Sequence, residues 1–230
     1  MMCENTFKML ALLWATAFSA YSFATVSAVK NSDIKNNSVE SAKILYVGNV
    51  TEKSVTELIS SIDEINATYP ALKHLYLYIN SGGGDMSSGY MAYEAVKSSP
   101  VPITTINSAF VASAATLFYC AGQERLAMPA ASFMLHPAAA SNIKQEFLKP
   151  NEIEQIKQYV DSYNALFRNI YKQCTSYNDE EINKMLFNED GRQFINVDGA
   201  LERKIATGKV DKMENVPVSY YILNEETHNK

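Results

Sequence analysis

The sequence predicts an α/β fold in which helices cover a parallel sheet. Three apolar strand patterns, Lys43–Gly48, His74–Asn80 and Ile103–Ile106, alternate along the chain with helical patterns. This repeated strand–helix order is typical of parallel strands that are joined by right-handed crossovers. The chain has 230 residues, of which 47% are hydrophobic. That length and composition predict one globular domain with short extensions.

The connections between these strands contain recognisable turn and cap signals. The helix after the first strand repeats apolar residues at intervals of three and four and closes at Pro70. Ser54 and Glu57 have the spacing of a capping box, which predicts that Ser54 caps this helix. After the second strand, Ser81–Asp85 turns the chain into a helix over about residues 87–98. Three consecutive glycines in that turn indicate a close approach of the backbone or a positive φ angle.

A serine and a histidine in the next segment are the candidates for catalysis. Ser113 follows the apolar run Phe110–Ala112 and precedes a helical run, Ala114–Ala121. The N–H groups at the start of a buried helix are unpaired, and they stabilise an attacking oxygen and the oxyanion that it creates. A second apolar segment ends at His136. We therefore interpret Ser113 as a nucleophile and His136 as its base, although a single serine in such a helix is more often a packing residue.

The rest of the chain is more helical. Asn151 is the predicted cap of a long amphipathic helix, and Asn178 is the predicted cap of a short one through Phe187. A further helix is expected from Asn196, followed by a final strand at Val218–Leu223. We assign residues 43–223 to the folded domain and residues 224–230 to a solvated tail.

The N-terminus has the pattern of an export signal. Lys8 precedes an apolar run, and Val26-Ser27-Ala28 supplies the small residues that a signal peptidase requires. We predict that residues 1–28 are a cleaved signal peptide and that residues 29–42 are a flexible polar leader. The protein is then periplasmic or secreted and has no membrane segment after cleavage. A retained membrane anchor is the alternative, because the apolar run is barely long enough to span a bilayer.

Charge and cysteine content exclude several classes of function. A net charge of −5 argues against a general affinity for nucleic acid or anionic membranes. An exported protein could pair Cys120 and Cys174 in a disulfide. Both lie on helix-like stretches among apolar neighbours, however, so we favour two separate buried thiols. No CxxC or His/Cys cluster is present, and neither a metal nor a cofactor is predicted.

Three motifs follow one another along the chain: LYLYINSGGGDMSSGYMAYEAV, INSAFVASAATLFYCAG and FMLHPAAA. In order and spacing they resemble the proteolytic subunit of the Clp protease, ClpP. The resemblance covers about Lys43 to Asp211 and implies the crotonase-like ββα superhelix with a protruding long handle helix. It implies that Ser113 is the nucleophile and His136 the general base. The oxyanion-hole region of the family matches three residues here, Gly83, Gly84 and Ala114.

The triad acid departs from the family pattern. In the family an aspartate stands two residues before the phenylalanine that matches Phe194, and Arg192 occupies that place here. Asp190 is the acid that we predict to orient His136 after a two-residue shift of the loop. Without an acid, the base loses the group that fixes its tautomer.

Assembly departs from the family pattern as well. The family has a glycine-rich strand that lines substrate and helps to join two rings, and Ala138–Ser141 stands in its place. The resemblance predicts a homo-oligomeric ring, but not a double ring. The N-terminal loops that meet the ATP-driven unfoldase in the family are absent, and an exported protein has no cytosolic ATP. An unfoldase partner is therefore not expected.

Together these observations predict an exported serine-type endopeptidase that hydrolyses short or unfolded peptides without ATP. A different class of function is a non-catalytic scaffold or partner-binding protein that has lost the triad aspartate, and Arg192 favours it. A third possibility is an acyl-CoA enzyme of the crotonase group, but no basic cluster suited to the phosphates of that cofactor is evident. A Ser–Lys dyad is a further variant, which His136 makes unnecessary.

Overall fold

The computed structural model describes residues 25–141 and 147–224 of the chain. The strands are β1 (Thr25–Lys30), β2 (Ser41–Gly48), β3 (His74–Ser81), β4 (Ile103–Ala112), β5 (Glu124–Ala127), β6 (Ser132–Leu135), β7 (Gln193–Asn196), β8 (Gly208–Lys209) and β9 (Val218–Asn224). The helices are α1 (Glu52–Thr68), α2 (Met86–Lys97), α3 (Ala115–Cys120), α4 (Pro150–Cys174), α5 (Asp179–Met185) and α6 (Val197–Glu202).

The strands form one sheet, in the order β1-β9-β2-β3-β4-β5-β8, and β6 and β7 extend from β4. The three strands that the sequence predicts, β2, β3 and β4, are neighbours and run parallel. The predicted α/β class and parallel order are therefore confirmed. β5 and β8 were not predicted, because each is too short to show an apolar period.

One face of the sheet carries the core. Along β2, Ala42, Ile44 and Tyr46 are buried while the residues between them are only half-buried. They share a single apolar cluster with α1 residues such as Val55 and Leu58. This period of two is the pattern of a strand that packs one face against helices.

Two helix starts differ from the prediction. Thr51, not Ser54, caps α1: the Thr51 hydroxyl accepts from the Ser54 N–H at 3.1 Å, and Ser54 Oγ accepts from the Thr51 N–H at 3.1 Å. Ser54 is therefore the second partner of a capping box that begins three residues earlier than predicted. α4 begins at Pro150 rather than after Asn151, because proline suits the first turn of a helix, where its missing N–H has no partner.

The leader predicted at residues 29–42 is wrong at both of its ends, which belong to strands, whereas residues 31–40 form no strand and are nearly all exposed. β1 pairs antiparallel with β9 over residues 25–30, and β2 begins at Ser41. The Lys30 ammonium also binds Glu64 at 3.2 Å, and the same carboxylate accepts from the Tyr220 hydroxyl at 2.6 Å. β1 was not predicted, because Val26-Ser27-Ala28 was interpreted as the small-residue pattern of a signal-peptide cleavage site.

The predicted signal peptide lies mostly in residues 1–24, outside the described residues, and stays a prediction. Cleavage after Ala28 would divide β1. Residues 225–230 of the predicted tail also lie outside the described part of the chain, whereas Asn224 belongs to β9.

The prediction of two separate thiols is wrong. Cys120, at the end of α3, forms a disulfide with Cys174, at the end of α4, with the Cα atoms 5.6 Å apart. The two cysteines are 54 residues apart in sequence, and only the packing of α3 against α4 brings them together.

α4 is a long helix that is anchored at one end. Its buried residues are Phe167, Ile170, Tyr171 and Cys174, all in its last third. The part before Phe167 carries half-buried and exposed apolar side chains, among them Ile153 and Tyr159. This is the handle helix that the resemblance implies. Within residues 25–141 and 147–224, no helix is long and apolar enough to cross a membrane.

Candidate active site

Ser113 lies in a strained turn between β4 and α3. Its φ angle is 52°, in the left-handed region that residues other than glycine rarely adopt. Such a conformation costs about 1–3 kcal/mol and persists only where the surrounding structure imposes it. Here the Ser113 N–H donates to the Met134 carbonyl at 3.1 Å, and its carbonyl accepts from the Thr116 N–H at 2.9 Å. A serine held in a sharp strand-to-helix turn presents its hydroxyl at the end of the sheet.

The register of β4 and β6 brings His136 to the same edge. The two strands are parallel, and Ala112 is paired with Met134. Ser113 is the next residue after the paired position on β4, and His136 is the second residue after it on β6. The His136 side chain is 16% exposed, so it is enclosed but still accessible from solvent. The predicted nucleophile and base therefore lie at the ends of adjacent strands.

The acid that contacts His136 is Glu189, not the predicted Asp190. Glu189 Oε1 lies 3.1 Å from His136 Nδ1. Among the described residues, Asp190 makes no hydrogen bond to His136, and it lines a separate apolar groove with Phe187 and Lys184. A short 3-10 turn at Glu189–Gly191 directs the first of the two acids toward the histidine.

Arg192 lies on the other side of the Glu189 carboxylate. β7 runs antiparallel to β6 with Leu135 paired to Gln193, so Arg192 continues the pairing opposite His136. Arg192 Nη1 lies 3.8 Å from Glu189 Oε2, the other oxygen of the carboxylate that contacts His136. A glutamate is one methylene longer than an aspartate, and it reaches the histidine from three residues before Arg192. The arginine at the family's aspartate position thus lies near the carboxylate that contacts His136, and both side chains are more than half exposed.

The glycine turn packs directly on the Ser113 turn. Gly83 has a φ angle of 95°, and a Cβ on it would lie 2.5 Å from Ser113 Cβ and 3.0 Å from the Ala114 nitrogen. Only glycine is compatible with this contact. The predicted oxyanion-hole residues Gly83 and Ala114 are therefore adjacent to the predicted nucleophile.

The N–H groups of this region differ in their partners. In the described part of the chain the Ala114 N–H has no hydrogen-bond acceptor, whereas the Gly83 N–H donates to Ser81 Oγ at 3.2 Å. Gly84 packs against Val50, with which it forms a β-bridge. Of the two N–H groups, that of Ala114 is the one without an acceptor among the described residues, whereas that of Gly83 is engaged.

An open cleft of about 820 Å³ lies beside this turn. Its walls come from the segment before α1 and from the glycine turn with the start of α2, including Thr51, Gly83 and Ser87. Ser113, His136 and Glu189 are not among the residues that line this cleft. Within the described residues no group of three or more His, Cys, Asp or Glu side chains is placed to hold a metal ion.

The family model described as Clp protease matches residues 27–210, most of the chain. The chain belongs to the Clp protease family. The match begins inside β1, which agrees with the place of this strand in the folded domain. The recognition made from the three motifs is confirmed.

Individual Clp relatives are distant. The ATP-dependent Clp protease proteolytic subunit of Pleurastrum terricola is 30% identical over 95 residues, 40% of this chain and 48% of that protein. Subunit 2 of Pseudomonas aeruginosa is 28% identical over 127 residues, 52% of this chain and 61% of that protein. The chain thus spans less than two thirds of these two relatives. For subunit 1 of Chlamydia trachomatis the identity is 26% over 173 residues, 74% of this chain and 86% of that protein.

A mutant of ClpP1 from Listeria monocytogenes has a similar solved structure. The TM-score is 0.63 at 17% identity, and the match covers 74% of this chain and 91% of that one. At this identity the similarity shows the fold alone, which is the crotonase-like fold of the Clp proteolytic subunit. Sequence reasoning singled out Ser113, His136 and the glycine turn, and the structure places all three at one end of the sheet. It did not single out Glu189, whose only signal was its place next to Asp190.

Proposed function

We propose that this Clp protease homologue is a serine peptidase in which Ser113, His136 and Glu189 form the catalytic triad. The observation that carries the proposal is the 3.1 Å contact between His136 Nδ1 and Glu189 Oε1, beside a serine held in a left-handed turn. A histidine that is oriented by an acid, with a half-buried serine at the end of the adjacent strand, provides the parts of a base-activated hydroxyl nucleophile.

The reaction follows from this geometry. Ser113 Oγ attacks a peptide carbonyl, and His136 Nε2 takes the hydroxyl proton. Glu189 accepts the hydrogen on Nδ1, which fixes the tautomer and stabilises the imidazolium. The N–H groups of Ala114 and Gly83 hold the oxyanion. His136 then gives its proton to the leaving amine, and a water molecule hydrolyses the acyl-enzyme by the same steps in reverse.

We propose export and independence from ATP on two further grounds. Disulfides persist in oxidising compartments and are rare in the cytosol, which supports the predicted signal peptide. An exported enzyme has no access to the ATP that an unfoldase consumes, so its substrates are short peptides or chains that are already unfolded. Mass spectrometry of the N-terminus of the exported protein tests the predicted cleavage of the signal peptide. An uncleaved N-terminus would favour the retained membrane anchor instead.

The test of the function is hydrolysis without nucleotide. We expect the purified protein to degrade a permanently unfolded polypeptide and short fluorogenic peptides, and to leave a stable folded domain intact. Ser113→Ala keeps the fold and is the matched control. Equal hydrolysis by the wild type and by this variant would show that the activity belongs to a contaminant and would refute the proposal.

A non-catalytic scaffold is the second candidate, and two observations favour it. The Gly83 N–H is engaged by Ser81, and the Glu189 side chain is 55% exposed and shared with Arg192. On this hypothesis the folded wild type and Ser113→Ala are equally inactive, and the protein binds a partner instead.

We also propose a homo-oligomeric ring, as the family resemblance implies. The exposed apolar residues of the handle helix, such as Ile153 and Tyr159, supply area for contacts between copies. Light scattering that gives the mass of one chain at micromolar concentration would rule this out.

A further inference from the structure

A chain of hydroxyl groups links the base of the handle helix to Ser113. The Tyr171 hydroxyl of α4 lies 2.8 Å from Thr116 Oγ1 of α3, and Thr116 Oγ1 donates to the Ser113 carbonyl at 2.6 Å. The hydroxyl of Thr116 has one hydrogen, and it goes to Ser113. Tyr171 must therefore be the donor to Thr116. The two hydrogen bonds therefore have the same direction, from α4 toward the turn that holds the proposed nucleophile.

Both hydroxyls are buried and shielded from water. Tyr171 is 0% exposed and Thr116 is 3% exposed. Burial raises the pKa of Tyr171 above its ordinary value, so the phenol keeps its proton and remains a donor. Buried hydrogen bonds of this kind have no competing water, and removal of one member leaves its partner without a bond.

The Ser113 carbonyl depends on these donors. It accepts from the Thr116 N–H at 2.9 Å and from the Thr116 hydroxyl at 2.6 Å, so both of its lone pairs are used. This carbonyl sets the peptide plane that follows the left-handed φ angle of Ser113. The same plane carries the Ala114 N–H, the proposed oxyanion donor. One polar chain thus holds the nucleophile and the oxyanion donor together.

We propose that Thr116 and Tyr171 are positioning residues, which fix the Ser113–Ala114 peptide in the orientation that the reaction needs. The proposal rests on Ser113 being the nucleophile of the proposed peptidase. The disulfide fixes the same junction, since Cys120 follows Thr116 by one turn of α3 and Cys174 follows Tyr171 by about one turn of α4. The handle helix is therefore part of the support of the active site.

The test is the rate of labelling by a fluorophosphonate in single-hydroxyl variants. Tyr171→Phe keeps the ring and removes only the donor, and we expect labelling to slow by about 10-fold or more, because small displacements of a nucleophile have large effects on rate. Thr116→Val removes the Thr116 hydroxyl and should slow labelling by a similar factor. Thr116→Ser retains the hydroxyl and should be labelled at the wild-type rate.

Tyr119→Phe is the matched control. Tyr119 is equally buried and lies on α3, but its hydroxyl donates to the Leu126 carbonyl at 3.0 Å, away from Ser113. It should lower the melting temperature about as much as Tyr171→Phe and leave the labelling rate unchanged. Equal labelling rates in Tyr119→Phe and Tyr171→Phe would overturn the proposal.

Hydrogen exchange separates this proposal from the proposed function. We expect the Thr116 amide, which donates to the Ser113 carbonyl, to exchange faster in Tyr171→Phe than in Tyr119→Phe. If the wild type is not labelled but this difference is present, the positioning role stands and the peptidase proposal fails. If exchange at Thr116 is the same in both variants, the positioning role is refuted whether or not the wild type is labelled.

Discussion

Glu189→Gln should lower kcat/KM for peptide hydrolysis by about 10²- to 10³-fold, because the histidine loses the anion that fixes its tautomer and stabilises its charged form. The expected loss is smaller than the roughly 10⁴-fold known for a buried triad aspartate. The reason is that the Glu189 side chain is 55% exposed and water screens part of its charge. The amide of glutamine still reaches His136, so the fold should be unchanged.

Asp190→Asn is the control for this prediction. The two acids are neighbours in one 3-10 turn, and each variant removes one negative charge from it. We expect Asp190→Asn to retain at least half of the wild-type kcat/KM. A larger loss in Asp190→Asn than in Glu189→Gln would restore the sequence prediction and contradict the triad that we propose.

Loss of the disulfide should lower the free energy of unfolding by about 4 kcal/mol, from the entropy of a closed loop of this length in the unfolded chain. The bond joins residues 54 positions apart, and Cys174 is 97% buried. We expect this difference between the wild type and the Cys120→Ala/Cys174→Ala variant in denaturant unfolding followed by fluorescence.

Reduction provides an independent comparison. The wild type in an excess of a dithiol should unfold close to the midpoint of the double variant, whereas the double variant should not respond to the dithiol. If the oxidised wild type, the reduced wild type and the double variant share one midpoint, the disulfide contributes nothing to stability.

The parts of the fold that follow from local patterns could be predicted from the sequence. β2, β3 and β4 were found because each combines an apolar run with a turn signal at its end. Ser113 and His136 were singled out because each ends such a run, and the structure places both at the same edge of the sheet. The glycine turn was found because three glycines after a strand indicate an unusual backbone, and Gly83 does take a positive φ angle.

Features that depend on tertiary contacts were missed. β1 could not be predicted, since its residues are exposed and its partner, β9, lies at the other end of the chain. The Cys120–Cys174 bond depends on the packing of two helices. The sequence does not show which of Glu189 and Asp190 contacts His136, because the direction of each side chain depends on the short 3-10 turn Glu189–Gly191.

The central claim is that Ser113 is a nucleophile activated by His136. The most direct measurement is mass spectrometry of the protein after reaction with a fluorophosphonate, with Ser113→Ala and His136→Ala alongside. The claim predicts one adduct, on the peptide that contains Ser113, absent from Ser113→Ala and at least about 10²-fold slower in His136→Ala. A folded wild type without an adduct, or with an adduct on another residue, would contradict it and favour the scaffold.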